Sequence, residues 1–354
     1  MSYVSAPFSP FDLLSPSRWS RFKRAWLGRC DLAGVPIEKG LYEYVPRVSF
    51  PASGRILSFD SQLDLQRSFL PSWLLDREFD LCISDTSPSF VFAPSLNYRT
   101  RILRFNDKID GFSPPLSPRL VEHYYAQLQG DDIDEIWAVS PPLLRDARKL
   151  RSDIPSILLP NGVDLDDFQA IKGKGQQRGV APSALYLGSR GSWLDLDLIC
   201  SIAKRLPNWS FSLIGPGFER GVLAPANVST ASAVNYEEVP GIMASHDVGL
   251  IPFLDCTFSM YCDSLKFYQY LAAGLAVVAT DLPSLRETMG KWAHYGHGPK
   301  EFAGSLEEAL EARCNRDAKD WAALDDFLAT RAWSSILDLM AQRVEALLVQ
   351  GKRS

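Results

Sequence analysis

The apolar positions of this chain alternate between two spacings. Short apolar runs at 78–84, 101–105, 136–139, 184–187, 211–214, 247–253 and 275–280 predict buried strands. Between them lie stretches with apolar residues at helical spacing, such as 119–129 and 194–206. This βα alternation predicts an α/β fold with parallel sheets, and it restarts in the second half. After a helix at 305–315, the stretch from Asp320 to Gln350 predicts a long helical end with Trp333 and a Leu/Met/Val stripe.

One stretch concentrates the chemistry. Asp263-Ser-Leu-Lys-Phe-Tyr-Gln-Tyr-Leu-Ala-Ala-Gly274 predicts a short helix, with Asp263 or Ser264 at its N-cap and Gly274 just past its end. Leu265, Tyr268, Leu271 and Ala272 form its expected core face, and Lys266, Gln269 and Ala273 lie on another. Lys266 falls in the first turn, where free backbone N–H groups already favour an anion. A bound diphosphate would turn that local repulsion into attraction; the plainer alternative is a solvated lysine on an amphipathic helix.

Composition removes several classes. The 354 residues suffice for two domains, and 46% hydrophobic with 22% charged residues is a globular balance. A net charge of −5 without blocks of like charge excludes bulk nucleic-acid binding. Six cysteines are scattered without metal-ligand spacing, as in a reducing compartment. His294 and His297 are too close and isolated for a metal site, and His123 is expected to be structural. No apolar run approaches the ~18 residues of a membrane span, and no signal-peptide core follows Met1, so a cytoplasmic location is expected.

The helix-then-strand stretch resembles the donor-site segment of GT-B glycosyltransferases, Ser-x-Lys-x-x-Glu-Tyr-Leu-Ala-Ala-Gly followed by an apolar strand. It is most similar to the family 70 type, the xanthan glucuronosyltransferase, whose version also has Gln three residues after Lys; Ser264, Lys266 and Gln269 match. Retaining family 4 enzymes usually carry a Glu where Gln269 stands, so the similarity points away from that subgroup. The resemblance implies two Rossmann-like, doubly wound domains facing a cleft. Residues 1–160 would bind the acceptor and 161–325 the nucleotide sugar, and 326–354 would form a helix packing back on the first domain. The N-terminal domain is expected to lack its first β-α unit, because the chain opens on a strand that comes second in the related enzymes.

The same resemblance implies transfer of a sugar from a nucleoside diphosphate sugar, UDP-linked with UDP-glucuronic acid among the candidates, to a glycan or polyprenyl-linked hydroxyl. The setting would be envelope or exopolysaccharide synthesis, with inversion at the anomeric carbon and with neither metal nor cofactor. Implied donor-binding residues are Gly188, Ser189, Arg190, Tyr236, Phe253, Ser264, Leu265, Lys266 and Gln269. Gly188 to Gly191 would let the backbone approach a ligand, and Arg190 would pair with a phosphate or sugar carboxylate unless it is a surface loop cation. Family 70 has Met at the position of Arg190, and its ribose-binding Glu has no clear counterpart; Ala233, Asn235 or Tyr236 lie there. Asn161-Gly162 resembles the crossing between the two domains.

For the acceptor base, the family's Arg-x-x-Asp-Gly motif is split here: Arg104-x-x-Asp107 keeps one side and Asp110-Gly111 the other. Asp107 is favoured and Asp110 is second, with a turn or N-cap carboxylate as the alternative for either. Asp195-Leu-Asp197 has donor-motif spacing but lies in an expected helix. Residues 16–29 carry five cations and no acid, with Trp19, Phe22 and Trp26 at i, i+3, i+7. That stripe suits the inner face of an anionic membrane, or else a core-facing helix with a solvated basic back. A catalytically silent nucleotide-sugar-binding or scaffold protein of the same fold is the rival reading.

Overall fold

The computed structural model describes residues 2–4, 35–38, 41–44, 70, 72–86, 88–111, 118–169, 181–219 and 221–351. The basic aromatic stretch 16–29 lies outside the described residues. The chain divides into two compact units, one of residues 1–138, 143–157 and 345–354, the other of residues 139–142 and 158–344.

In the first unit, β1 (Ser2–Val4) pairs in parallel with β3 (Leu41–Tyr44), and β2 (Val35–Glu38) pairs antiparallel with β3. The expected strand over 78–84 is two strands. β4 (Glu78–Phe79) pairs with β6 (Asn97–Tyr98), whereas β5 (Cys82–Asp85) joins β7 (Arg101–Phe105), β8 (Glu135–Ala138) and β9 (Ser156–Leu158) in the order β5-β7-β8-β9. Asp80 and Leu81 interrupt the run, and Ile83 is exposed because β5 is a sheet edge. The central strands are apolar on both faces, with Ile102, Leu103, Phe105, Ile136, Trp137 and Ala138 buried, as parallel strands covered by helices require. Two helices follow in sequence: α1 (Pro118–Leu128) buries Leu120, Tyr124 and Leu128, and α2 (Pro141–Leu150) buries Leu143 and Ala147.

The second unit holds six parallel strands: β10 (Ser183–Leu187), β11 (Ser210–Ile214), β12 (Val228–Ala231), β13 (Val248–Ile251), β14 (Ala276–Thr280) and β15 (His294–Gly296). Their order is β12-β11-β10-β13-β14-β15. Counted within the unit this is 3-2-1-4-5-6, the doubly wound arrangement whose ligands collect beyond the strand C-termini where the order reverses. That point lies between β10 and β13. Helices alternate with the strands: α3 (Asp166–Gln169), α4 (Leu196–Arg205), α5 (Val239–Ala244), α6 (Thr257–Tyr261), α7 (Leu265–Ala272), α8 (Pro283–Met289) and α9 (Gly298–Cys314).

Two close approaches fix this core. A Cβ on Gly249 of β13 would lie 2.3 Å from the Tyr270 ring, so only glycine lets that ring cross the strand. Tyr270, from α7, then accepts the Leu187 N–H at 2.9 Å, which pins the end of β10 to the helix. The expected long terminal helix is two, α10 (Ala318–Ala329) and α11 (Trp333–Gly351). The break between them is a backbone stitch: Val163 N–H donates to Arg331 at 2.8 Å and Trp333 N–H donates back to Val163 at 3.0 Å. Gly162 sits against the Trp333 indole, with space for no side chain.

Gly249→Ala is expected to destabilise the protein by about 1–3 kcal/mol through overpacking against Tyr270, measured as a lower urea midpoint at unchanged slope.

Candidate functional site

The residues brought together at the reversal point of the second sheet are Gly188, Ser189, Arg190, Phe253 and Lys266. β10 ends in the Gly188 loop and β13 runs into Phe253, and the two exits are joined by an antiparallel bridge between Leu194 and Phe253. The loop is held from below. Gly188 N–H donates to Ile214 at 2.9 Å, Arg190 N–H to Pro216 at 2.8 Å, and the Tyr186 hydroxyl to the Ser189 carbonyl at 2.8 Å. Gly188 has φ +151, a conformation that side chains disfavour. A Cβ there would also stand 3.0 Å from the Lys266 ammonium.

Lys266 lies in the first turn of α7, with its ammonium 4.8 Å from the centre of the Tyr186 ring and 5.1 Å from that of Phe253. The residue keeps some exposed surface, while its charged end is enclosed by the two rings and the loop. Among the described residues no carboxylate is paired with it. Two aromatic faces supply a weak quadrupole attraction and no counter-charge. Burial therefore lowers the Lys266 pKa to about 8. An enclosed cation at a helix N-terminus without a carboxylate has the charge and the free N–H groups that an anion would complement.

The cap of α7 differs from expectation. Ser264 occupies the N-cap position without a side-chain cap bond. Asp263 instead accepts the Asn161 N–H at 2.6 Å and the Tyr268 hydroxyl at 2.7 Å, so its carboxylate ties the helix to the Asn161-Gly162 segment. Leu265 is exposed and not on the core face; Phe267, Tyr268, Tyr270, Leu271 and Ala272 are the buried positions. The free N–H groups of the first turn are thus left without a side-chain cap at Ser264. Gln269 lies on α7 one turn past Lys266, and Tyr236, half exposed, opens a 3₁₀ turn; burial first and the nearby Asp167 carboxylate second raise the Tyr236 pKa. Arg190 is exposed, with its Cβ packed against Gly217. Asp195 is the N-cap of α4 and accepts the Leu198 N–H at 2.8 Å, so it stands just outside the helix and its carboxylate is spent on capping.

In the first unit, Asp107 follows the C-terminus of β7. The neighbouring strand ends are clasped by a reciprocal pair: Thr86 N–H donates to Asn106 Oδ1 at 2.9 Å and Asn106 N–H to Thr86 Oγ1 at 3.3 Å. Burial raises the Asp107 pKa to about 6, and the nearby Asp85 carboxylate at the end of β5 adds to the shift. Asp110 lies in a short 3₁₀ turn, exposed, and accepts the Tyr125 hydroxyl at 3.1 Å. Lys108, between them, is paired with Asp146. Among the described residues no group of three or more His, Cys, Asp or Glu is placed to hold a metal ion, and no helix is long and apolar enough to cross a membrane.

Three participants escaped the sequence reading. Asp85 was legible in principle, as a carboxylate ending a strand beside the strand that leads to Asp107. Tyr186 and Asp167 carry no local signal; only the folded sheet brings them to Lys266 and Tyr236.

The comparisons fit this architecture. No family model matches the chain. A curated relative, the putative teichuronic acid biosynthesis glycosyltransferase TuaH of Bacillus subtilis, is 29% identical over 164 residues. The match covers 42% of this chain and 41% of that protein, so the chain spans under half of its length. Sucrose-phosphate synthase from Thermosynechococcus elongatus superimposes with a TM-score of 0.69 at 12% identity, covering 99% of this chain and 89% of the other. Anabaena Alr3699/HepE in complex with UDP-glucose gives 0.60 at 12% identity, covering 86% of each chain. The chain has the GT-B type of α/β fold, with parallel sheets in both units.

Removal of either buried charge separates site strain from stability. Asp107 has a raised folded pKa, so the stability it lends is complete below about 3.8 and is lost as pH rises through about 6. Lys266 has a lowered one: the unfolded chain binds more protons between about 8 and the ordinary 10.5, so stability rises with pH across that window. Lys266→Met is therefore expected to be more stable than wild type below pH 8, with the gain shrinking towards pH 10.5, and Asp107→Asn more stable above pH 6 with no gain near pH 3. Urea titrations across pH check both signs.

Proposed function

We propose that this protein is a glycosyltransferase that moves a sugar from a UDP-sugar to a hydroxyl of a glycan or lipid-linked acceptor during envelope polysaccharide synthesis. The observation that carries the reading is the enclosed Lys266 ammonium, without a carboxylate partner among the described residues, at the α7 N-terminus and the reversal point of the second sheet. Its fit is to a diphosphate. In this reading the second unit binds the donor and the first the acceptor, with the Gly188 loop, Arg190, Phe253, Leu265, Lys266 and the first-turn N–H groups about the diphosphate and sugar. The teichuronic acid relative and the UDP-glucose-bound neighbour support an envelope polysaccharide and a UDP-linked donor. The Gln at 269 favours kinship with the family 70 type and keeps UDP-glucuronic acid among the donors to try.

The chemistry follows from the two perturbed groups. The acceptor O–H loses its proton to the Asp107 carboxylate as its oxygen attacks the anomeric carbon. The bond from that carbon to the diphosphate oxygen breaks, and the electron pair leaves with UDP, stabilised by Lys266 and the α7 N-terminus. One displacement inverts the anomeric centre. A pKa of about 6 leaves Asp107 ionised at neutral pH and more basic than an ordinary aspartate. Asp110 is second in line because it is exposed and engaged by Tyr125. No metal or cofactor takes part in this scheme. Residues 16–29 would hold the enzyme at the inner face of the plasma membrane, beside a lipid-linked acceptor.

Calorimetry with UDP, GDP and UDP-glucuronic acid tests the donor half. UDP should bind, and Lys266→Ala should weaken it by about 1.5–3 kcal/mol, the usual worth of a charge-assisted bond. Binding of no nucleotide at all would leave a scaffold on an inherited shell. For the acceptor half, Asp107→Asn should lower kcat by about 10²–10⁴-fold with UDP binding intact. The wild-type kcat/KM should fall with unit slope below pH 6 as Asp107 takes up its proton; turnover unchanged in Asp107→Asn would refute the assigned base.

A further inference from the structure

The ladder between β5 and β7 stops just short of Asp107. Its last register pair is Asp85 with Arg104. Beyond it, β5 leads to a 3₁₀ turn at Pro88–Ser95 and β7 to another at Ile109–Gly111. Side chains carry the contact on from there. Thr86 N–H donates to Asn106 Oδ1 at 2.9 Å, and Asn106 N–H donates to Thr86 Oγ1 at 3.3 Å. Each side-chain oxygen satisfies an N–H that the ladder would otherwise have met with a carbonyl. Thr86 is 1% exposed, which shields its half of the clasp from competing water.

Each of the joined residues is the chain neighbour of a carboxylate: Asp85 precedes Thr86, and Asp107 follows Asn106. One hydrogen bond would leave a pivot between the two segments. Two of opposite sense fix both their separation and their relative rotation. The clasp thereby sets how near Asp107 stands to the Asp85 segment and how far it is withdrawn from water. Proximity of like charge and desolvation both favour a protonated carboxyl. Of the other titratable groups at this end of the sheet, Lys108 pairs with Asp146 of α2, and Tyr125 of α1 donates to Asp110. On the same helix His123 hydrogen-bonds Gln127, and Tyr124 is buried with its ring edge-on to Phe90. Arg104 stands opposite Asp85 within the ladder.

We propose that Thr86 and Asn106 are positioning residues of the acceptor site, whose clasp holds the Asp107 carboxylate beside the Asp85 segment and so selects the pH range in which it acts as a base. The inference rests on the role given to Asp107 above. Its test is a carbon-13 NMR titration of the Asp107 carboxyl in the full chain, with the resonance identified by its loss in Asp107→Asn. In wild type it should titrate near 6. Thr86→Val, which keeps the shape and removes the oxygen, should bring it down by at least about one unit towards the ordinary 3.8. Thr86→Ser, which keeps the oxygen, should restore the wild-type value, a rescue that a merely structural threonine would not give. Asp85→Asn leaves the clasp intact and should lower the value by removing the like charge. A wild-type Asp107 that titrates near 3.8 overturns the proposal before any variant is made. So does a Thr86→Val protein that titrates as wild type, or a shift that Thr86→Ser reproduces in full. Where Thr86→Val does not fold, Asp85→Asn decides, and an unchanged titration there refutes the arrangement. Undiminished turnover in Asp107→Asn refutes the base itself, and is told apart from a failed clasp because the titration is read without substrate.

Discussion

The second unit is organised by the enclosure of one ammonium that has no carboxylate to meet it. A cation taken from water costs several kcal/mol unless it is compensated, and two aromatic faces return only part of that. The surroundings of Lys266 are arranged so that the deficit persists. Tyr186 lies in β10 and Phe253 just past the end of β13, the two strands at which the sheet order reverses, and Gly188 leaves the space that the lysine tip occupies. Tyr270 passes through the gap at Gly249 and hydrogen-bonds the residue before that loop. Asp263, the carboxylate nearest in sequence, is occupied by Asn161 and Tyr268. The fold holds the charge with no carboxylate paired to it among the described residues.

The first unit shows the converse effect on a carboxylate. Asp85 ends β5 and Asp107 follows the end of the adjacent parallel strand β7, and burial with the nearby like charge raises the Asp107 pKa to about 6. The Thr86–Asn106 pair fixes those strand ends. In both units, then, burial disfavours the charged form of a group beside the carboxyl ends of parallel strands.

Much of this was legible in the sequence because it is periodic or local. The strand-and-helix alternation gave the α/β class, and the segment from Ser264 to Gly274 gave the lysine, its helix and the strand behind it. Distinctions that depend on packing were hidden. Leu265 carries an apolar side chain at a core-like spacing, yet the helix turns its Phe267 and Tyr270 face inward. Asp263 looks like a cap, and only the fold reveals that it reaches Asn161. The strand over 78–84 is continuous in hydropathy but splits because its two parts pair with different neighbours. Tyr186 could not be found from spacing at all, since Lys266 lies in a stretch that only the folded sheet brings near it.

The stitch between Val163 and residues 331 and 333 has a consequence for the order of events during synthesis. The segment that opens the second unit obtains its backbone partners from the far end of that unit, and Gly162 its cover from Trp333. Chain growth is vectorial, and domains commonly fold as units once their last element has left the ribosome. The sheet strands from β10 to β15 emerge before the residues that close the unit's opening segment. A nascent chain halted short of Trp333 therefore holds all six strands of the second unit with the unit's opening segment still unpaired.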